Sequence, residues 1–357
     1  MKKLLHFLLI CFFCTISALN ANAQIDNYIQ NKIDSIILKN AVPGIFVGIC
    51  DGTKNKYFTG GYANAETKQK FNENTFFEIG SITKTFTAYV LLSVLKEKKI
   101  SDTSSIINYL PDSVQTNSAF KTISFFKLMN HTSGLPRMPE NFGGNEDFLQ
   151  PYKNYDSKLL FEYLKTAKPN TKNKYDYSNL GMALAGVLAE RISGKNYAAL
   201  LDKYIFLPFN IIDAKNTIEK SNNKSQGYFD DTTKSTYWNM NVMAPAGGLK
   251  CTTKEMLKYL ACMSKPINKN AQSIIDTLLI PTAVVNKNIK IGRAWHLLEQ
   301  KNKPTIYWHN GGTYGFTTFA AFIKETNQTV MVVVNKFNAV NISDKLGIEI
   351  IKKFNWQ

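Results

Sequence analysis

Strand-forming and helix-forming segments are separated along this chain in a way that restricts its architecture. Strand-like runs occur near the start, at Ile45–Cys50 and Lys56–Gly60, and again near the end, in three runs between residues 306 and 334. The stretch between about residues 92 and 240 has mostly helical patterning. We therefore predict one sheet completed by both ends of the chain, with the helical middle inserted as a lobe of its own.

Apolar residues at helical spacing indicate helices beside these strands, and Asp51-Gly52 indicates a hairpin turn. The predicted helices are residues 25–39, Thr83–Glu97, Leu180–Ile192 and Asn341–Phe354. The expected fold is of the α/β (α+β) class, a central and mostly antiparallel sheet flanked by helices plus an all-helical lobe. The sheet lobe would take about residues 24–85 and 245–357 and the helical lobe about 86–244, with a ligand cleft between them.

The first residues have the order of a secretory signal. Lys2 and Lys3 precede an apolar run that continues to about Ala18, and Ala21-Asn22-Ala23 offers small residues for cleavage. An uncleaved anchor is the alternative, but the run is shorter than the roughly 20 apolar residues that span a bilayer. We predict a signal peptide over residues 1–23, no transmembrane segment after cleavage, and a periplasmic or secreted protein.

Net charge and amino-acid composition restrict which macromolecules, metals and cofactors the protein is expected to bind. The formal charge is +16, and lysines carry nearly all of it because Arg137, Arg191 and Arg293 are the only arginines. The lysines are scattered, which disfavours nucleic-acid binding and is compatible with attraction to an anionic cell envelope. Three cysteines follow the leader, Cys50, Cys251 and Cys262, at spacings that suggest buried apolar residues rather than disulfides or zinc ligands. No metal or other cofactor is predicted.

Ser81 opens the predicted helix Thr83–Glu97, with Lys84 three residues further on. Residues i and i+3 share a helix face, so the two side chains can meet. A serine hydroxyl needs a base to become a nucleophile, and a buried neutral lysine can take its proton. The S-x-x-K pattern also starts at Ser93, Ser118, Ser124 and Ser221. Only Ser81 follows a short β-prone run and a glycine and opens a long apolar helix.

Two further segments carry groups suited to the same chemistry. Tyr177-Ser178-Asn179 precedes a clear helix, and a phenol beside a lysine can move a proton while an amide holds a carbonyl. Trp308-His309-Asn310-Gly311-Gly312 follows a strand, and its glycines let backbone approach a ligand. Backbone N–H groups of Gly312 and Ser81 are candidates for an oxyanion hole.

His131 and His296 are not spaced as in any metal-binding motif. Three aromatic residues in loop-like stretches could either line the cleft or pack in the protein interior: Phe142, Tyr237 and Tyr314.

Taken together, five segments resemble the serine β-lactamase and penicillin-binding-protein superfamily. They are Phe77–Lys84, Leu128–Pro136, Tyr177–Gly181, Pro245–Leu249 and His309–Gly312. The chain is similar in pattern to class C β-lactamases, D-Ala-D-Ala carboxypeptidases and D-aminopeptidases over nearly its whole mature length. The resemblance implies a single catalytic domain over residues 24–357, with this family's mixed sheet and helical lobe.

The resemblance also implies roles for matching positions. Ser81 would be the acylated nucleophile, Lys84 its base, and Tyr177 the residue that protonates the leaving group and activates the deacylating water. Asn179 would bind the substrate's amide. His309, Asn310, Gly311 and Gly312 stand where the family's third motif lines the cleft, and the segment around His131 would be structural.

The third motif departs from the Lys-Thr-Gly of class C β-lactamases, because this chain has His309-Asn310-Gly311. The hydroxyl that helps to hold a substrate carboxylate is replaced by an amide, and the region between Tyr177 and His309 is short for class C. The leading hypothesis is therefore hydrolysis of amide bonds in D-amino-acid or peptidoglycan-type peptides. The alternatives are an esterase of small or acyl-chain esters, a weak β-lactamase, and a β-lactam or cell-wall sensor that stays acylated.

Overall fold

The computed structural model describes residues 24–39, 41–143, 147–170, 172–215, 221–231 and 233–354. The predicted signal peptide, residues 1–23, lies outside this part of the chain. The α-helices are α1 (24–38), α2 (Thr83–Glu97), α3 (Asp112–Gln115), α4 (Phe125–Met129), α5 (Ser157–Thr166), α6 (Asn179–Ser193), α7 (Tyr197–Leu201), α8 (Ala244–Gly247), α9 (Thr253–Ser264), α10 (Lys269–Leu279) and α11 (Val340–Phe354).

The strands are β1 (Gly44–Asp51), β2 (Asn55–Gly61), β3 (Phe76–Glu78), β4 (Ala214–Lys215), β5 (Gly227–Tyr228), β6 (Lys234–Ser235), β7 (Lys250–Thr252), β8 (Ala283–Asn286), β9 (Ile289–Ile291), β10 (His296–Gln300), β11 (Lys303–Gly312), β12 (Thr317–Ile323) and β13 (Gln328–Val334). The helices predicted at the two ends of the chain, at Thr83 and after Leu180 are all confirmed. So is the hairpin of β1 and β2.

An eight-stranded antiparallel sheet joins the two ends of the chain in the order β2-β1-β13-β12-β11-β10-β9-β8. The decisive pairing is between β1 and β13, in which Ile45 lies opposite Val334 and Asp51 opposite Gln328. This pairing confirms that the first hairpin and the last strands form one sheet. Small sheets of β3, β7 and β4 and of β5 and β6 lie beside it.

Both faces of the large sheet are covered by helices. Ile45, Val47 and Ile49 of β1 point to the face on which α1 and α11 pack, where Ile29 and Ile350 are fully buried. The residues between them on β1 point the other way, toward α9 and the larger core that includes α2 and α6. This alternation follows from the two-residue period of a strand.

Two helices that the sequence analysis did not predict, α9 and α10, lie after Pro245 in the chain, between β7 and β8. The signal for α9 was present, since the Thr252 hydroxyl accepts a hydrogen bond from the Glu255 N–H and caps the helix. The predicted strand Ile306–Trp308 is confirmed as part of β11, which is longer at both ends and runs from Lys303 to Gly312.

Cysteine packing is mixed. Cys251 is buried, as predicted, whereas Cys50 and Cys262 are partly exposed, and all three are free thiols. Within the described residues no helix is both long and apolar enough to cross a membrane. In the same residues no group of three or more histidine, cysteine or acidic side chains is arranged to hold a metal ion.

Candidate active site

Ser81 lies in a single 3₁₀ turn, Gly80–Ile82, that leads directly into α2. The turn lets Ser81 stay partly exposed to a pocket, while the next residues of α2 enter the core. Lys84 is fully buried, and its Nζ donates a hydrogen bond of 2.9 Å to the Ser81 Oγ. The i, i+3 spacing thus brings the two predicted side chains together.

A buried lysine needs partners, and Lys84 has two. Its Nζ donates a second hydrogen bond, of 2.6 Å, to the Ala246 carbonyl oxygen, and it lies 4.9 Å from the centre of the Tyr177 ring. Burial, reinforced by the positive charge of Arg137, holds the pKa of Lys84 well below its usual value. The environment therefore favours the neutral amine, the form that can accept the Ser81 proton.

Tyr177 is held by the start of α6. The Ser178 hydroxyl caps this helix by accepting from the Gly181 N–H, and the Ser178 N–H donates to the His131 Nδ1 at 3.2 Å. Burial raises the pKa of Tyr177 well above 10, and a hydrogen bond with the Ser81 hydroxyl opposes this only in part. Tyr177 is consequently protonated at neutral pH and faces both Ser81 and Lys84.

The fully buried His131 ring lies 4.4 Å from the Tyr177 ring, centre to centre. This agrees with the structural role predicted for the segment around it. Asn179 begins α6 and lines the same pocket, with its amide nitrogen 3.5 Å from the Met138 sulfur.

The end of β11 forms the opposite wall, directly against the turn that carries Ser81. Gly80 has a φ of 51°, and a Cβ at this position would come within 2.6 Å of the Gly312 nitrogen. A Cβ on Gly311 would collide with the Ile79 carbonyl oxygen. Both glycines are needed for this close approach. They bring the backbone of Gly312 beside Ser81, as the oxyanion-hole hypothesis requires.

The structure separates His309 from Asn310: Asn310 is among the residues that line the pocket, as the sequence suggested, whereas His309 is not. His309 is fully buried behind the wall, where its Nδ1 donates to the Asn310 carbonyl oxygen at 2.6 Å. Its pKa is held well below 6.5 by burial and by the nearby His296 and Lys84. The Asn310 amide donates to Asp344 of α11 at 2.6 Å. Because successive side chains alternate along β11, His309 and Asn310 point to opposite faces of the sheet.

The pocket in front of Ser81 has a volume of about 510 Å³ and is largely aromatic. Its walls include Tyr152, Tyr175, Trp238, Trp308, Tyr314 and Phe337. Of the aromatic residues left open by the sequence, Tyr314 lines the pocket. Phe142 packs against Tyr152, and the Tyr237 hydroxyl donates to the backbone oxygens of Phe76 and Ser225.

Arg137 and His296 are among the polar residues of this pocket that sequence reasoning missed. Arg137 follows the segment that ends at Pro136, and its guanidinium carbon lies 5.1 Å from the centre of the Tyr177 ring. The sequence feature that could have drawn attention to Arg137 is the rarity of arginine in a chain that is rich in lysine. His296 stacks on Trp308, its cross-strand neighbour, and only the register of β10 and β11 reveals this position.

Comparison with known proteins agrees with this geometry. The β-lactamase family model matches residues 25–350. The chain belongs to the β-lactamase family. It is accordingly a serine hydrolase with the β-lactamase/DD-peptidase-like fold, and the fold class predicted from the sequence is confirmed.

Relatives in this family include a β-lactamase of Escherichia coli K12, 25% identical and aligned over 94% of each chain. Penicillin-binding protein 4* of Bacillus subtilis is 23% identical over 87% of this chain and 71% of its own. Among solved structures, a β-lactamase/D-alanine carboxypeptidase from Pseudomonas syringae superposes with a TM-score of 0.80. It is 20% identical, and the match covers 92% of this chain and 99% of that one.

The burial of His296 predicts a pH-dependent stability. Burial lowers the pKa of His296 to about 4, whereas the ordinary value is 6.5. Between these values the unfolded chain binds a proton that the folded protein does not, so stability falls as the pH falls. From pH 7 to pH 5, the free energy of unfolding should drop by about 2 kcal/mol more in the wild type than in His296→Gln. Urea unfolding at both pH values measures this, and equal drops would contradict it.

Proposed function

We propose that this protein is an exported hydrolase that forms an acyl-enzyme on Ser81 and cleaves amide bonds of D-amino-acid or peptidoglycan-type peptides. The observation that carries the proposal is the hydrogen bond between the buried Lys84 amine and the Ser81 hydroxyl. Export rests on residues 1–23, and an N-terminus at Gln24 in protein recovered from outside the cytoplasm would support it. Recovery of the full-length chain with the cytoplasmic fraction would contradict it.

In the first half-reaction, Lys84 takes the hydroxyl proton while the Ser81 oxygen attacks the substrate carbonyl carbon. The charge on the carbonyl oxygen develops beside the backbone N–H groups of Ser81 and Gly312. When the C–N bond breaks, Tyr177 donates its proton to the leaving nitrogen and recovers one from Lys84. The raised pKa of Tyr177 suits this role, because the phenol is protonated at neutral pH.

In the second half-reaction, water attacks the ester carbon of the acyl-enzyme. The water proton passes through the Tyr177 hydroxyl to the neutral Lys84 amine, the bond between the acyl carbon and the Ser81 oxygen breaks, and Lys84 returns the proton to that oxygen. The same three side chains thus serve both steps. The Asn179 amide, on the pocket wall next to Tyr177, would hold the substrate's own amide.

Two comparisons support a peptide substrate. One relative is named a penicillin-binding protein, and one fold neighbour is described as a β-lactamase/D-alanine carboxypeptidase. Ester hydrolysis is the second candidate, and the largely aromatic pocket wall favours it because such a wall binds apolar groups well. Esters also require less protonation of the leaving group than amides.

A fluorescent penicillin tests the nucleophile. We expect a covalent label on the wild type and none on Ser81→Ala, because Ser81 is the one serine among the described residues of the pocket and its hydroxyl meets the buried Lys84 amine. Ser93→Ala is the matched control. Ser93 also begins an S-x-x-K pattern, but it lies inside α2 with its hydroxyl bonded to the Tyr89 carbonyl oxygen. Intact mass and gel fluorescence read the label, and its decay measures deacylation. Label on folded Ser81→Ala would refute the assignment.

The role of Tyr177 is tested by two kinds of leaving group. Tyr177→Phe should lower kcat/KM for a D-Ala-D-Ala peptide by roughly 10²–10⁴-fold, the usual contribution of a general acid. With a p-nitrophenyl ester, the same substitution should lower the acylation rate much less, because p-nitrophenolate leaves without a proton. Pre-steady-state release of p-nitrophenol isolates that step. Equal losses on both substrates would show that Tyr177 does not protonate the leaving group.

A further inference from the structure

Arg137 is the feature of the pocket that the proposed chemistry leaves unused. It is the only arginine or lysine among the described residues that line the pocket, and that described lining contains no aspartate or glutamate. The side chain is exposed, and within the described part of the chain its guanidinium has no hydrogen bond or ion pair. A cation without a carboxylate partner in an aromatic pocket is suited to an anionic ligand.

The backbone of Arg137 is fixed, although its side chain is accessible. The Arg137 carbonyl oxygen accepts hydrogen bonds from the N–H groups of Asn179 and Leu180, at 3.0 and 3.3 Å. The fully buried Leu135 anchors the same loop two residues earlier. The guanidinium carbon lies over the Tyr177 ring at 5.1 Å from its centre. The charge is therefore presented at a defined place rather than on a free loop.

The opposite wall lacks a comparable group among the described residues. The Asn310 amide is engaged by Asp344, and Gly312 has no side chain. Phe337 and Val340, near the start of α11, contribute apolar surface. A substrate carboxylate thus finds its charged partner at Arg137 rather than at the third motif.

We propose that Arg137 binds a carboxylate on the leaving group, so that this enzyme prefers peptides with a free C-terminal carboxylate next to the scissile bond. This inference rests on the proposed function. The carboxylate carbon of a C-terminal residue is two bonds from the scissile nitrogen. The side chain that binds the carboxylate must therefore lie close to the one that protonates the nitrogen. Arg137 and Tyr177 have that relation.

Matched substrates test the preference. The first pair is an N-acetylated tripeptide ending in D-Ala-D-Ala and the same peptide with a C-terminal carboxamide. The second pair is O-acetyl-D-lactate and its carboxamide, which carry the same acyl group with or without a carboxylate two bonds from the scissile oxygen. For each pair, the ratio of kcat/KM values for the acid and the neutral analogue is compared between wild type and variants, so intrinsic reactivity cancels.

We expect Arg137→Gln to lower the acid-to-neutral ratio by roughly 10- to 100-fold, the range for losing a charged hydrogen-bond partner. Arg137→Lys should restore part of the ratio, because it keeps the charge but not the planar fork. Lys174→Gln is the matched control: it removes a positive charge from an exposed residue that precedes Tyr175 in the chain and does not line the pocket. Its ratio should equal that of the wild type.

An unchanged ratio in Arg137→Gln overturns the inference. This includes equal losses on acid and neutral substrates, which would show that Arg137 acts only through the charge it places near Lys84. If neither peptide is cleaved but the ester pair shows the predicted change, the peptide substrate is wrong and the role of Arg137 stands. If peptides are cleaved with no acid preference in the wild type, the proposed function stands and the role of Arg137 is wrong.

Discussion

The geometry around Ser81 depends on how the protein accommodates one buried amine. Removing an ammonium group from water is costly, and the fold answers by favouring the neutral form and by giving the Lys84 nitrogen two oxygen partners, on Ser81 and Ala246. Each partner belongs to a different part of the chain, one before α2 and one in α8. The segment Pro245–Leu249 therefore matters because its backbone supplies an acceptor, although it contributes no reactive side chain.

Several interactions hold these parts in register. The Thr87 hydroxyl, one turn after Lys84, donates to the Pro245 carbonyl oxygen at 2.6 Å, and the Leu249 N–H donates to the Thr83 hydroxyl. Gly186 lets Pro245 pack directly against α6. The pocket wall at Trp238 is fixed similarly, because the backbone N–H of Trp238 donates to the buried Glu78 carboxyl group and its backbone carbonyl oxygen accepts from the Lys250 side chain. The site is thus assembled mainly by backbone groups of short, buried segments.

The sequence was informative where local pattern decides the structure. Helix α2, the pairing of Ser81 with Lys84, and the strands β12 and β13 follow from periodicity of three to four or of two residues. The sequence was less informative where tertiary packing decides the direction or position of a side chain. The direction of the Asn310 side chain depends on α11, and the position of His296 depends on the pairing of β10 with β11. Arg137 enters the pocket only because the loop after Gly134 packs against α6.

The pairing of β1 with β13 also has a consequence for how the chain reaches its native state. The two strands are separated by more than 250 residues in sequence and are neighbours in the sheet. Contacts of such long range form slowly, because a large loop must close first. The sheet cannot be completed until residue 334 is available, so the N-terminal hairpin waits for the last strands. The export proposed for this chain would benefit from this delay, because the N-terminal half cannot form the finished sheet before the rest of the chain has crossed the membrane.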